Sequence, residues 1–190
     1  MEYLLLIVGS VLVNNIVLTQ FLGICPFLGV SNKISTASGM AAAVVFVMTL
    51  STMVTWMVYQ FMLVPLGIEF MQTITYILII AALVQMVEII LKKTSPALYQ
   101  ALGVYLPLIT TNCVILGVAL LVIQKDYNLI TSIVYTIGTG LGYGLALVIF
   151  AGLREQLELS TVPNTLKGIP IALITAGILA MAFMGFAGMV

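Results

Sequence analysis

Six charge-free windows divide the chain: 3–32, 34–68, 70–87, 94–124, 127–153 and 168–190. A membrane-spanning helix takes about 20 predominantly apolar residues, within a range of roughly 17–25. The shortest window still falls inside that range, and a flanking Glu or Lys extends it by bending its charge back to the interface. The pattern predicts six transmembrane helices. Pro65 with Gly67, Ser95 with Pro96, and Pro163 with Gly168 supply turn chemistry between them.

Composition fixes the solvent. Hydrophobic residues make up 63% of the 190 and charged residues 6%, against roughly 25% charged in a soluble domain. Such a chain cannot cover a water-facing surface, so lipid is its medium. Net charge is zero, and no basic patch points to nucleic acid. With no histidine, the commonest metal ligand and general base is missing. No charged n-region or small-residue cleavage site opens the chain, so the first apolar segment is expected to be kept.

The charges orient the spans. With six crossings, the first, third and fifth loops share one side and carry Lys33, Lys92, Lys93, Arg154 and Lys167, leaving only Lys125 opposite. The positive-inside rule places those three loops in the cytoplasm and both termini outside it. Within the fifth loop, GLREQLELSTVPNTLKG fits a short interfacial helix or equally a continuation of the fifth span with an Arg154–Glu158 i,i+4 ion pair.

The two windows that hold the cysteines, 3–32 and 94–124, are longer than a span needs. Residues 94–124 as a single helix would measure roughly 46 Å at ~1.5 Å per residue, against a hydrocarbon core about 30 Å thick. Both cysteine windows also hold the means to break a helix. Gly23 and Pro26 flank Cys25, while Pro107 and then Thr110, Thr111 and Asn112 precede Cys113. Irregular backbone at membrane depth survives only where protein buries it or it lines a cavity.

The two cysteines are the only ones in the chain, and each opens the frame Cys-x-x-Leu-Gly-Val. The offset of 88 positions maps the first span onto the fourth. Three spans per half gives the halves opposite orientation, the inverted-repeat pattern in which broken helices meet near the midplane. The fold class expected is therefore an all-α polytopic membrane protein, a single membrane domain over 1–190. Its repeats are 1–93 and 94–190, and the first helix of each is broken.

A free cysteine in such a place is often only a small buried hydrophobe. If Cys25 and Cys113 act, two chemistries fit: a redox disulfide, or ligation of a metal or cluster. A typical iron–sulfur cluster takes four thiolates, so two would come from a second copy or a homologous partner.

Three blocks carry a family resemblance: NNIVLTQFLGICPFLGVS, KTSPALYQALGVYLPLITTNCVILGVALL and GLREQLELSTVPNTLKGIPIALITAGILAMAFMGF. Together they resemble the A subunits of Rnf-type complexes over essentially the whole chain. The likeness to the E subunit of the sodium-pumping NADH:quinone oxidoreductase is weaker. Pro26 after Cys25 and the run Lys93-Thr94-Ser95-Pro96 are more like Rnf. The resemblance implies a multi-pass component of a prokaryotic inner-membrane complex that couples ferredoxin:NAD oxidoreduction to Na+ or H+ movement. It implies that Cys25 and Cys113 ligate a [2Fe-2S] cluster shared with the homologous E subunit. The B, C, D and G subunits would be the further partners, and flavins and the NAD site would belong to other chains. No glycine-rich dinucleotide fingerprint follows a strand here.

Other residues carry weaker expectations. Glu88 is the acid nearest a membrane interior, which by default raises a functional hypothesis, but Glu88 and Lys92 are spaced for a local ion pair. Thr110, Thr111 and Asn112 can satisfy a broken helix, coordinate an ion or donate to cluster sulfurs. Asn14 and Asn15 can bond across a helix interface. The pairs Gly138/Gly142 and Gly140/Gly144 are packing positions, with the facing element unread. Two rival functions stay open: a small secondary transporter, against which stands the nearly charge-free interior, and a structural membrane component with inert cysteines.

Overall fold

The structure is a computed structural model that describes residues 2–94, 106–160, 163 and 166–186. Among the described residues all regular structure is helical. Helix α1 (Glu2–Val8) runs on into a wider π turn over Gly9–Val13, followed by α2 (Ile16–Gln20) and α3 (Ile24–Gly29). Then come α4 (Ile34–Val58, prolonged through Leu66), α5 (Gln72–Thr94), α6 (Leu106–Thr110) and α7 (Cys113–Gln124). Helices α8 (Leu129–Leu159) and α9 (Ile169–Met184) complete the order.

Four helical stretches are long and apolar enough to cross a membrane: Ile34–Leu66, Glu69–Ile90, Pro107–Gln124 and Leu129–Leu159. They centre on the second to fifth charge-free windows, with Glu69–Ile90 and Leu129–Leu159 running past the charges that bound theirs. The last window holds α9, an apolar helix of 16 residues. The first holds three short pieces rather than one rod. The loop expected at Ser95 and Pro96 lies outside the described residues.

The helices do break, and at Cys25 it is not the proline that breaks them. Pro26 lies in the first turn of α3, where an N–H has no intrahelical partner to lose. The break falls before it, at Phe21 and Gly23, both left-handed with φ of 55° and 83°. Pro107 lies within α6, and the break comes beyond it at Thr111–Asn112. Asparagine restarts the chain after a break in each half. The Asn15 side chain accepts from Val17 N–H and caps α2, and that of Asn112 accepts from Val114 N–H and caps α7. Such caps replace intrahelical bonds that the break removes.

Helix α8 is the centre of the bundle and the most buried of the long apolar helices. Its glycines present two faces, both toward this chain's own helices. A Cβ at Gly142 would lie 3.0 Å from Val11 Cα, and one at Gly138 would strike Ser10 Oγ. On the other face, a Cβ at Gly140 would lie 2.9 Å from Val45 Cγ2 of α4, and one at Gly144 3.2 Å from Ala41 Cβ. Small residues thus allow α8 to approach the first segment and α4 together. Asn15 completes the contact. Wholly buried, it donates from Nδ2 to Gly142 O at 2.7 Å and to Val11 O at 3.2 Å. Asn14 is exposed.

Buried hydroxyls are mostly satisfied along their own helices: Thr52, Thr55, Thr136 and Thr139 each donate to the carbonyl four residues back. The Thr136 and Thr52 hydroxyl oxygens lie 3.3 Å apart across the helix interface. At one end of the bundle, Arg154 on α8 reaches Leu28 and Ser31, so the fifth and first loops lie together. At the other end, Trp56 Nε1 donates to Tyr127 O at 3.1 Å. Helix α8 continues unbroken to Leu159, so the fifth loop opens as an extension of that helix and not as a separate interfacial one. Arg154 turns back to α3, where the i,i+4 spacing predicts an ion pair with Glu158.

Candidate metal centre at the helix breaks

Each cysteine lies in the first turn of a helix that restarts after a break, Cys113 as the first residue of α7 and Cys25 as the second of α3. The breaks meet. Gly23 N–H donates to Cys113 Sγ at 2.9 Å, joining residues 90 positions apart in the chain. Gly23 is placed there by its left-handed φ of 83°, and a Cβ on it would collide with Val114 Cγ2 and come within 3.0 Å of Tyr143 Cε2. Only glycine meets both conditions.

The repeated glycine of the Cys-x-x-Leu-Gly-Val frames faces a leucine in each copy, and closely only at Gly117. A Cβ at Gly117 would lie 3.1 Å from Leu22 Cδ1, just upstream of Cys25. A Cβ at Gly29 would lie 3.7 Å from Leu108 Cδ1, just upstream of Cys113. Each frame therefore takes a leucine from the segment leading into the other cysteine.

Helix α3 is held along its length. Phe27 stacks on Phe150 of α8, with ring centroids 4.2 Å apart and planes 18° from parallel. At its C-terminal end, Arg154 Nη1 donates to Leu28 O at 2.7 Å and to Ser31 Oγ at 2.8 Å. A guanidinium bonded to terminal carbonyls supplies what the helix end lacks.

Both cysteines are free thiols. Cys25 is exposed on this chain and Cys113 half-buried. Among the described residues, no three His, Cys, Asp or Glu gather into a set able to hold a metal ion, so a four-ligand centre needs thiolates from outside the chain. The surroundings of Cys113 fit such a group. Asn112 Nδ2 and Tyr143 Oη are buried with no hydrogen-bond partner, and an unmet buried donor costs about 1–3 kcal/mol. Tyr143 lies beside the Asn112 carboxamide and near Cys113, yet its hydroxyl reaches neither in hydrogen-bond geometry.

Of the other residues weighed from sequence, Asn112 does close the broken helix through Oδ1, and Thr111 Oγ1 donates back to Pro107 O at 2.9 Å. Glu88 is half-buried toward the C-terminal end of α5. Tyr143 is the site residue that sequence reasoning missed. Its residue type and its place inside the glycine run IGTGLGYG were the available signal, since small neighbours bring a large side chain close to facing backbone.

Fold and site together define an all-helical, polytopic membrane protein in which two cysteine-bearing segments meet at helix breaks. The family described as "Rnf-Nqr subunit, membrane protein" matches residues 3–190, and the chain belongs to it. It is 58% identical over 189 residues to the A component of the Na(+)-translocating ferredoxin:NAD(+) oxidoreductase complex of Acetobacterium woodii, covering 100% of this chain and 98% of that one. It is 57% identical over 187 residues to the A component of the ion-translocating oxidoreductase complex of Syntrophotalea carbinolica, covering 98% and 97%. The protein of the same name from Pseudoalteromonas translucida is 54% identical over 189 residues, covering 100% and 98%.

Proposed function

We propose that this chain is the A-type component of an ion-translocating ferredoxin:NAD oxidoreductase complex of the prokaryotic inner membrane. In this reading it crosses the membrane six times as two inverted three-helix repeats, with both termini outside the cytoplasm. Cys25 and Cys113 ligate a [2Fe-2S] cluster that a homologous E-type subunit completes, and B-, C-, D- and G-type subunits make up the rest of the complex. The cluster supplies one-electron transfer through the low-dielectric interior. The residues of this chain hold it there, keep it dry and leave one side open to the partner.

The observation that carries the reading is the bond from Gly23 N–H to Cys113 Sγ, which fastens the Cys25 break to the Cys113 break. The exchange of Leu22 and Leu108 between the frames supports a pseudo-two-fold relation. The exposure of Cys25 supports a site finished by another chain. Among the described residues the buried polar side chains are Ser, Thr, Asn and Tyr, without a charge to balance that of a transported ion, which favours electron transfer over a secondary transporter.

The test is iron, acid-labile sulfide and EPR on the fully assembled complex, with Cys25→Ser and Cys113→Ser beside it. Serine offers iron a hard oxygen for a soft sulfur. Each single variant is expected to lose the cluster signal and turnover, and the double variant to be little worse, because the ligands act as one unit. A single variant that keeps both its signal and its turnover defeats the assignment.

A further inference from the structure

The two unpartnered donors beside Cys113 point to a use. Asn112 is 4% exposed and Tyr143 wholly buried. Asn112 spends its Oδ1 on Val114 N–H, which fixes the carboxamide and leaves Nδ2 without an acceptor. Tyr143 comes from α8, an unrelated element, and its ring edge lies where a Gly23 side chain would be. Two independent elements thus bring unmet N–H and O–H groups near the cysteine that already accepts from Gly23 N–H. Buried polar groups are almost always satisfied, and here the two lie beside one another without either completing a hydrogen bond.

We propose that Asn112 Nδ2 and Tyr143 Oη donate hydrogen bonds to sulfur atoms of the cluster ligated by Cys113 and raise its reduction potential. This rests on the cluster reading above. Reduction adds negative charge to the sulfurs, and donors fixed in a low-dielectric interior stabilise the added charge more than the oxidised state. They act as positioning and tuning residues, because iron is held by the cysteines. Gly23 N–H is a third donor of the same kind, but from the backbone, where side-chain substitution does not remove it.

The experiment is a redox titration of the EPR signal in the assembled complex, comparing wild type with Tyr143→Phe and Asn112→Ser. Tyr143→Phe subtracts one oxygen atom and keeps the ring against Gly23. Asn112→Ser retains a capping oxygen for Val114 N–H while deleting the amide donor. Each variant is expected to keep the cluster and to favour the oxidised state by up to tenfold, a fall in midpoint of up to about 59 mV for a one-electron couple. Electron–nuclear double resonance should also lose one strongly coupled exchangeable proton in Tyr143→Phe. A cluster with unchanged midpoint and unchanged proton couplings in both variants overturns the tuning role while leaving the cluster in place. A wild-type complex free of iron and sulfide overturns both the cluster and the tuning role.

Discussion

Arg154 Nη1 donates to the carbonyl oxygen of Leu28 at 2.7 Å, joining the end of the long central helix to the end of the short one that bears Cys25. Helix α3 spans only six residues, too few to persist alone, since isolated helices below about 12–15 residues are marginal even in favourable sequences. Its shape is imposed by Phe150 and Arg154 at one end and by Gly23 at the other. Arg154→Ala is expected to destabilise the assembled complex by about 1.5–3 kcal/mol, the range for a hydrogen bond to a charged group. It should also broaden the EPR line through disorder at Cys25. Arg154→Lys should rescue it only in part, because an ammonium lacks the planar fork. Thermal denaturation of the complex with EPR on the same samples checks this, and an unaltered midpoint of unfolding in Arg154→Ala would refute the clamp.

Gly23→Ala meets two penalties at once, a left-handed backbone and a collision with Val114. Left-handed φ alone costs an L-residue about 1–2 kcal/mol. The expected result is a complex that assembles poorly or lacks its cluster. Gly67→Ala supplies the control, with a left-handed φ of 66° and nothing within 4 Å of the added methyl. It should show the backbone cost without the loss of the centre, and equal behaviour of the two variants would count against the meeting of the breaks.

The glycine faces of α8 predict a graded series. A methyl at Gly142 presses on Val11 backbone, with its Cα at 3.0 Å, whereas one at Gly39 on α4 meets nothing within 4 Å. Gly142→Ala is expected to lower stability by about 1–3 kcal/mol, as overpacking does. Gly39→Ala, at a helix-interior site, should be neutral or stabilising by about 0.5–1 kcal/mol. Comparing thermal midpoints of the two variants in the same complex decides between these faces and a packing role toward a neighbouring protein.

Topology yields a separate test. The bond from Arg154 to Leu28 puts the first and fifth loops at one end of the bundle, and the positive-inside rule predicts that this end faces the cytoplasm. A C-terminal alkaline-phosphatase fusion should be active and a C-terminal green-fluorescent-protein fusion dark. The reverse pair of outcomes would invert the orientation.

Much of the fold was legible in the sequence because lipid imposes a long-range rule, that charge stays out of the interior. The windows between charges therefore located the four long apolar helices. The breaks at Cys25 and Cys113 were legible from excess length only together with Gly23, Pro26 and Pro107, since the still longer window 34–68 is helical through Leu66, and their positions were not legible. Proline reads as the breaker in sequence, although in a first turn its missing N–H is harmless, and Phe21 and Asn112 are the residues that turn the chain. Which way the α8 glycines face was unreadable, since spacing gives the faces of a helix and not the neighbours. Tyr143 was invisible for a similar reason: its meaning comes from α7 and Gly23, which lie beside it only after folding.

The long stretch of chain between Gly23 and Cys113 has a bearing on how the protein is made. The bond that joins them spans 90 positions, and the one from Asn15 to Gly142 spans 127. While the chain leaves the ribosome, the first segment reaches the membrane with its partners still unsynthesised. At its final depth, two left-handed residues and a buried asparagine would then face hydrocarbon with their polar groups unmet, a state lipid does not tolerate. The first segment is thus expected to wait at the interface or beside the insertion machinery. It would move to its final depth only after α8 has arrived, so the last-made half of the protein sets the place of the first.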